Sequence, residues 1–228
     1  MSRAMWRQLR ATFERLHEHA SARCVIVQGE AGAFCAGGDI SEYPDFRFDE
    51  AQLANFHEND VWGGLRAMLW CDVPIVAAIE GPCMGAGMEI ASCCDIRIAG
   101  ESAKFGAPIA KLGFPMAPRE AMLVGRVAGE ATAREMLLEA AVLDAREMKA
   151  RGFLNRVVPD DSVAGQAQVS AGKIASLSPH AARLNKQTLR AAAAAVDGLD
   201  VSGAYAYADS PQHREGIGAF LAKRPPVF

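Results

Sequence analysis

The order of apolar and polar positions along the chain predicts helices that alternate with strands. Residues 1–20 carry apolar side chains at helical spacing and predict an amphipathic helix. Two β-branched runs, "ARCVIVQGE" and "VPIVAAIEG", predict buried strands. Between them, residues 49–71 have the pattern of one long helix, which we expect to be loosened at Gly63 and Gly64.

The same rhythm of strands and helices continues to residue 161. Residues 85–94, 118–127 and 130–140 predict helices. Four short stretches, "DIRIAG", "AKFGAP", "AVLD" and "NRVVPDD", predict further strands. An α/β fold is the class that this alternation indicates.

The remainder of the chain has a helical pattern only. Two helices are predicted to begin at the Ser-Pro pairs of positions 178 and 210, where serine can cap an N–H group and proline suits the first turn. The alanines from 191 to 195 favour a helix strongly. We therefore divide the chain into a core, residues 1–161, and a C-terminal helical region, residues 162–228. The pattern leaves open whether that region packs on its own core or forms an oligomer contact.

Composition narrows the class of protein. Half of the 228 residues are hydrophobic, enough for a full core, and a net charge of −3 leaves no basic excess for binding nucleic acid. Apolar runs are too short for a membrane span, and the charged N-terminal segment lacks the apolar stretch of a secretory signal. The six cysteines show no metal-ligand spacing. We interpret them as small core residues and expect a cytoplasmic protein without a metal site.

Two glycine-rich loops follow the predicted strands and share one physical character. In "FCAGGDI" and in "GPCMGAGME" the peptide N–H groups lie among residues with small side chains, so a ligand oxygen can approach the backbone. Two such groups converging on one oxygen would form an oxyanion hole, in which losing one donor typically costs about 2.7–4 kcal/mol of transition-state stabilisation. Either loop taken alone is more simply a turn after a strand.

The second loop superficially resembles a dinucleotide-binding fingerprint, but its spacing argues against that function. Gly81, Gly85 and Gly87 form G-x-x-x-G-x-G rather than G-x-G-x-x-G. The acidic residue Glu89 lies almost directly after them, whereas a ribose-binding carboxylate belongs about 20 residues further on. We therefore disfavour a dinucleotide-binding domain.

Both loops resemble motifs of one enzyme family. "AFCAGGDI" resembles the first oxyanion-hole motif of the crotonase (enoyl-CoA hydratase/isomerase) superfamily, and "AAIEGPCMGAGMEIASCCDIRIAG" resembles its second, in the same order. "AKFGAPIAKLGF", "ARGFLNRVVPDD" and "REGIGAFLAKRPPVF" extend the resemblance over nearly the whole chain. It implies a spiral core of repeated ββα turns and a C-terminal trimerisation region that forms a homotrimer or a dimer of trimers. It also implies an acyl-CoA thioester as substrate, with no other cofactor.

The resemblance assigns roles to particular residues. The family's oxyanion donors fall on the backbone N–H groups of Ala36 and Ala86, and its first catalytic glutamate falls on Glu89. Removing a proton beside a thioester carbonyl puts negative charge on the thioester oxygen, which two N–H groups can hold. The helix dipole favours ionised Glu89 and burial opposes it, and the sequence leaves that balance open. Substrate contacts are assigned to a further set of positions: Gly37, Asp39, Ile40, Gly85, Ile109 and Lys223.

Departures from the family pattern change the expected chemistry. The second glutamate of the hydratases, which holds the attacking water together with the first, is replaced here by Ile109. Glu89 would then act alone, so we expect a proton shift or another enolate reaction rather than efficient hydration of a simple enoyl-CoA. The family's "PGxGG" is replaced by "FPMAPREA", in which Glu120 is either a second acid or, more simply, a helix-dipole partner. We expect Arg119 at a surface or interface and His57 in solvent.

A further departure lies at the front of the chain. Family members carry a strand pair and a CoA-contacting loop before the helix that we predict at residues 1–20, so a truncated first turn of the spiral is expected. Lys223 matches a family lysine near the CoA nucleotide, but it is equally well explained as an ordinary helix-end lysine. Two functions stay open: a lyase or isomerase that processes acyl-CoA, or a catalytically attenuated paralogue that binds acyl-CoA or acts through its oligomer. Proton exchange beside the thioester would separate them.

Overall fold

The computed structural model of the chain describes residues 1–19, 21–191 and 205–227. The strands within these residues are short, and together they form two sheets. Their bounds are β1 (Val25–Gln28), β2 (Ile75–Ile79), β3 (Pro82–Met84), β4 (Ile96–Gly100), β5 (Lys104–Gly106), β6 (Val142–Asp144) and β7 (Arg156–Val158).

The helices of the described residues include ten α-helices, joined in places by short 3₁₀ segments and by one π-helical segment. The α-helices are α1 (Arg3–His19), α2 (Glu50–Asn55), α3 (Trp62–Trp70), α4 (Ala86–Ser92), α5 (Pro118–Ala128), α6 (Glu130–Leu138), α7 (Ala145–Ala150), α8 (Val163–Ser176), α9 (Pro179–Ala191) and α10 (Pro211–Leu221). The shorter segments are Ile40–Asp45, Ile109–Leu112, Asp160–Ser162 and Ala206–Asp209, which are 3₁₀ helices, and Phe56–Val61, which is a π-helix.

The chain passes alternately between the two sheets. One sheet is parallel throughout, in the order β1-β2-β4-β7, and the other has the order β3-β5-β6, with β5 parallel to β3 and antiparallel to β6. The successions β2-β3-α4 and β4-β5-α5 are therefore repeated ββα turns, which confirms the predicted spiral. Every residue of β2 is buried, because a central parallel strand is covered on both faces.

The first helix of the C-terminal region packs on the core. Val163 and Ala167 of α8 are buried against Val76, Ala78 and Ile98 of the parallel sheet. Beyond residue 191 the predicted alanine tract lies outside the described residues. The division at residue 161 and the oligomer contact both stay predictions. Of the helices that the structure describes, not one combines the length and the apolar character needed to cross a membrane.

The helical stretch before β2 is distorted at a different place from the one predicted. The expected loosening at Gly63 and Gly64 is wrong, because both residues lie inside α3. A Cβ atom at Gly64 would lie 3.1 Å from the Trp6 ring, so glycine lets α1 approach α3 closely. The irregular turn is the π-helix Phe56–Val61, and its buried residues include His57. Such turns are frequent at functional sites.

Candidate active site

The two glycine-rich loops are joined by backbone hydrogen bonds. The Cys35 N–H donates to the Pro82 carbonyl oxygen at 2.9 Å, and the Met84 N–H donates to the Cys35 carbonyl oxygen at 2.8 Å. Gly85 has a φ of 50°, and a Cβ atom at Gly87 would lie 2.7 Å from the Cys35 carbonyl oxygen. Glycine is therefore required at both positions for the loops to meet.

This pairing brings Ala36 and Ala86 into the lining of one cavity of about 240 Å³. Ala86 is the first residue of α4, and neither its N–H nor that of Ala36 donates a hydrogen bond within the part of the chain that the structure describes. Backbone donors in such a lining call for an acceptor from a ligand or solvent. Most of the lining is apolar or aromatic, and Arg47, His57 and Glu89 add polar groups to it.

Glu89 is held in an environment that favours its protonated form. It lies in the first turn of α4 and is 9% exposed. Burial and, next, the negative charge of Glu120 raise the pKa of Glu89 well above the ordinary value of 4.5, while Arg47 opposes this shift. The direction of this shift is the one that burial favours, although Glu89 lies at the start of a helix. At neutral pH Glu89 can act as a proton donor, and its carboxylate is a stronger base than an exposed one.

A second buried carboxyl group, Glu120, contacts the cavity lining through His57. Its Oε1 atom lies 3.1 Å from Nδ1 of His57, and its Oε2 atom is buried with no hydrogen-bond partner among the described residues. Burial, followed by the negative charge of Glu58, raises the pKa of Glu120 to about 8. Burial and then the Arg47 cation lower the pKa of His57 well below 6.5. A neutral imidazole therefore lies between the cavity and a buried carboxyl group.

Arg47 determines which nitrogen of His57 carries the hydrogen. Its side chain is buried over the Phe114 ring, 4.0 Å from the centroid, with Nη1 at 3.4 Å from Nε2 of His57 and Nε at 3.1 Å from Nε2 of His213. Because a guanidinium group only donates, we assign Nε2 of both neutral histidines as acceptors. The hydrogen of His57 then lies on Nδ1 and is donated to Glu120 Oε1.

Seven of the nine residues assigned from the sequence share the cavity lining. The structure places them on the two loops, at the start of α4 and on the segment before α5, which meet around this one space. They are Ala36, Gly37, Ile40, Gly85, Ala86, Glu89 and Ile109.

The other two assigned residues do not line the cavity. The Asp39 carboxylate accepts hydrogen bonds from the backbone N–H and the hydroxyl of Ser41 and so caps the 3₁₀ helix Ile40–Asp45. Lys223 is exposed just after α10. A substrate contact at either residue stays a prediction.

The surroundings of His57 differ from those predicted, and the sequence left the role of Glu120 open. His57 is 9% exposed and stacks on Tyr205 with ring centroids 5.5 Å apart, so its predicted place in solvent is wrong. A signal was available, since Leu53 and Val61, each four positions away, are apolar and buried on the same helical stretch. Glu120 gave no comparable signal, because a glutamate in a first helical turn is ordinarily explained by the dipole.

The whole chain, residues 1–228, matches the family model described as enoyl-CoA hydratase/isomerase. A probable enoyl-CoA hydratase of Mycobacterium bovis is 36% identical over 209 residues, which cover 90% of this chain and 79% of the relative. The crystal structure of an enoyl-CoA hydratase/carnithine racemase from Magnetospirillum magneticum is similar with a TM-score of 0.79 and 37% identity, covering 100% of this chain and 86% of that one. A methylmalonyl-CoA decarboxylase in complex with 2-nitronate-propionyl-CoA gives a TM-score of 0.84 with 25% identity, covering 98% and 87%.

Fold, loop pairing and sequence therefore define one class of protein, an α/β spiral of the crotonase superfamily. Within that class, the chain belongs to the enoyl-CoA hydratase/isomerase family. It is an acyl-CoA-processing enzyme of that type.

Proposed function

We propose that the chain holds the thioester oxygen of an acyl-CoA between the N–H groups of Ala36 and Ala86, while Glu89 moves the proton beside the carbonyl. One observation carries this proposal: two backbone donors that have no acceptor among the described residues line the same cavity as a buried carboxyl group. Developing negative charge on the oxygen would be stabilised by donors that are already in position. We also propose that the C-terminal helical region assembles the chain into a homotrimer.

The proposed proton transfer needs only Glu89 and the N–H groups of Ala36 and Ala86. The Glu89 carboxylate takes a proton from the carbon next to the thioester, and the electron pair of that C–H bond moves toward the carbonyl oxygen. Glu89 then returns the proton to the same carbon or to a conjugated one, and the electrons leave the oxygen. Its raised pKa makes Glu89 a stronger base once it is ionised. The scheme uses no metal or redox cofactor.

A second candidate function is an attenuated paralogue that binds acyl-CoA without turnover. The observation that favours it is Ile109, an apolar side chain in the cavity lining at the position of the family's second glutamate. Isoleucine can neither activate water nor donate a proton. On this alternative the cavity would retain the acyl group and Glu89 would stay protonated.

Solvent proton exchange separates the two functions. Butyryl-CoA and shorter acyl-CoAs are incubated with the protein in deuterated water, and deuterium beside the carbonyl is measured by mass spectrometry. We expect exchange with the wild type and loss of about two orders of magnitude with Glu89→Gln. Glu130→Gln on the exposed face of α6 is the matched control and should exchange normally.

Two results would contradict the proposal. Tight binding of acyl-CoA with no exchange at any pH would favour the attenuated paralogue. Exchange that persists at the wild-type rate in Glu89→Gln would remove that residue from the reaction.

A further inference from the structure

The cavity contains a second titratable side chain that could carry a proton. Position 109 supplies none, yet His57 lines the same cavity as Glu89. Its ring is fixed on three sides: it stacks on Tyr205, its Nδ1 atom lies 3.1 Å from Glu120 Oε1, and its Nε2 atom lies 3.4 Å from Arg47. The hydrogen bond from Arg47 to Nε2 is long at 3.4 Å, so a water molecule can displace it more readily than it could displace a short one.

We infer that His57, oriented by Glu120, is the second proton-transfer residue of this site and activates water for addition to an enoyl-CoA. The inference rests on the proposed function, since it needs the thioester to be held by Ala36 and Ala86. His57 is the catalytic residue, because it lines the cavity. Glu120 is a positioning residue, because it reaches the cavity only through the imidazole.

The addition balances with the groups present. Nε2 of His57 takes one proton from water as the water oxygen bonds to the β-carbon of the enoyl thioester. The electron pair of the carbon–carbon double bond moves toward the thioester carbonyl, and negative charge collects on its oxygen. Protonated Glu89 then donates its proton to the α-carbon, and the carbonyl re-forms. The product is a 3-hydroxyacyl thioester, and one proton must pass from His57 back to Glu89 before the next turn.

The protonation states before the reaction suit these roles. Burial raises the pKa of Glu89 and lowers the pKa of His57, so it favours the protonated carboxyl group of the one and the neutral imidazole of the other in the same cavity. Pairs of titratable groups whose pKa values are pushed apart in this way mark acid and base assignments. The sequence predicted a single proton carrier, and the structure provides a donor and an acceptor.

The charged groups packed around His57 act in opposite directions on its protonated form. Arg47 opposes a positive imidazole, whereas the negative charge of Glu58 favours it, and Glu58 is itself paired with Arg119 at 2.9 Å. His213, which Arg47 also contacts, has its pKa lowered to about 4 by burial and then by Arg47, so it stays neutral.

Glu120 is the carboxyl group in direct contact with His57. Its ionised form can stabilise the imidazolium that forms when His57 takes the proton from water. Its Oε2 atom is buried without a partner in the described residues, which favours the protonated form, so the ionised fraction grows only as the pH approaches about 8.

Two assays on the same variants test the inference. Hydration of crotonyl-CoA needs both proton carriers, whereas deuterium exchange into butyryl-CoA needs only Glu89 and the oxyanion donors. His57→Asn keeps an N–H near the position of Nδ1 but has no Nε2. We expect it to lower hydration about 100-fold and to lower exchange far less, so that the ratio of the hydration rate to the exchange rate falls. His17→Asn, on the exposed surface of α1, is the matched control for both assays.

Glu120→Gln provides an independent variant in case His57→Asn does not fold. We expect hydration to be slower by about tenfold at about pH 9, where Glu120 of the wild type is mostly ionised, with a much smaller change in exchange. The inference is overturned if His57→Asn and Glu120→Gln both hydrate at the wild-type rate. It is also overturned if the hydration rate and the exchange rate of these variants fall by the same factor. A wild type that exchanges but never hydrates overturns the inference alone, whereas a wild type that does neither overturns the proposed function.

Discussion

Replacing Glu120 by glutamine should change how the stability of the protein depends on pH. Glu120 is 1% exposed, and its pKa is raised from 4.5 to about 8. Between these two values the folded state binds a proton that the unfolded state has released, so the free energy of unfolding falls as pH rises. The loss begins near the unfolded pKa and is complete above the folded one.

The size of the effect follows from the pKa difference. Each pH unit inside that window corresponds to about 1.4 kcal/mol for one carboxyl group. From about pH 5.5 to about pH 7.5, Glu120 should therefore lower the free energy of unfolding by roughly 2–3 kcal/mol. Glutamine is nearly the same size, can still accept the hydrogen bond from His57 and does not titrate, so this part of the pH dependence should disappear.

Urea unfolding of the wild type and Glu120→Gln at several pH values measures this difference. Contributions from titratable groups that do not interact with Glu120 cancel because both proteins contain them. Glu130→Gln, whose side chain is 78% exposed, should follow the wild type at every pH. If Glu120→Gln and the wild type lose stability in parallel between about pH 5.5 and pH 7.5, the burial argument for Glu120 is wrong.

Three further predictions concern the cavity and its frame. Gly87→Ala should lower the exchange rate by about 100-fold, because its Cβ atom would push the Cys35 carbonyl oxygen away. The control Gly165→Ala has open space around its Cβ atom and should exchange at the wild-type rate, so equal rates for the two variants would contradict the loop geometry. In a steady-state assay, Ile109→Glu should hydrate crotonyl-CoA faster than Ile109→Gln does. If both variants hydrate faster than the wild type by the same factor, charge is not the cause. Asp144→Ala should lower the free energy of unfolding by about 1 kcal/mol in urea, because it removes the N-cap of α7, while the exchange rate stays unchanged. An unchanged unfolding midpoint would refute the capping role.

How much of the site could be predicted depended on the distance over which its parts interact. Gly85 and Gly87 stand next to the donor of Ala86, so their small size and spacing could be interpreted from the sequence. The position of Ile109 could be predicted in the same way, as a departure within a recognisable motif. His57 and Glu120 are 63 residues apart, and nothing local to either predicts their contact.

Secondary structure shows the same dependence on range. The boundaries of α5 and α10 were predictable because Pro118 and Pro211 mark helix starts through local backbone geometry. The π-helical turn at Phe56–Val61 was not, because that stretch contains no glycine or proline to mark it. Gly63 and Gly64, the apparent breakers, serve instead as the contact surface for α1.

The sequence by itself determined the α/β alternation, the two loops and the chemical types available to the site: backbone N–H groups, one carboxyl group and an apolar residue at position 109. Such features are set by neighbours along the chain. Tertiary structure alone decided that the loops meet at Cys35 and that burial raises the pKa values of Glu89 and Glu120. It also decided that His57 lies in the cavity. Burial and charge depend on groups distant in sequence, so protonation becomes defined only when the fold brings those groups together.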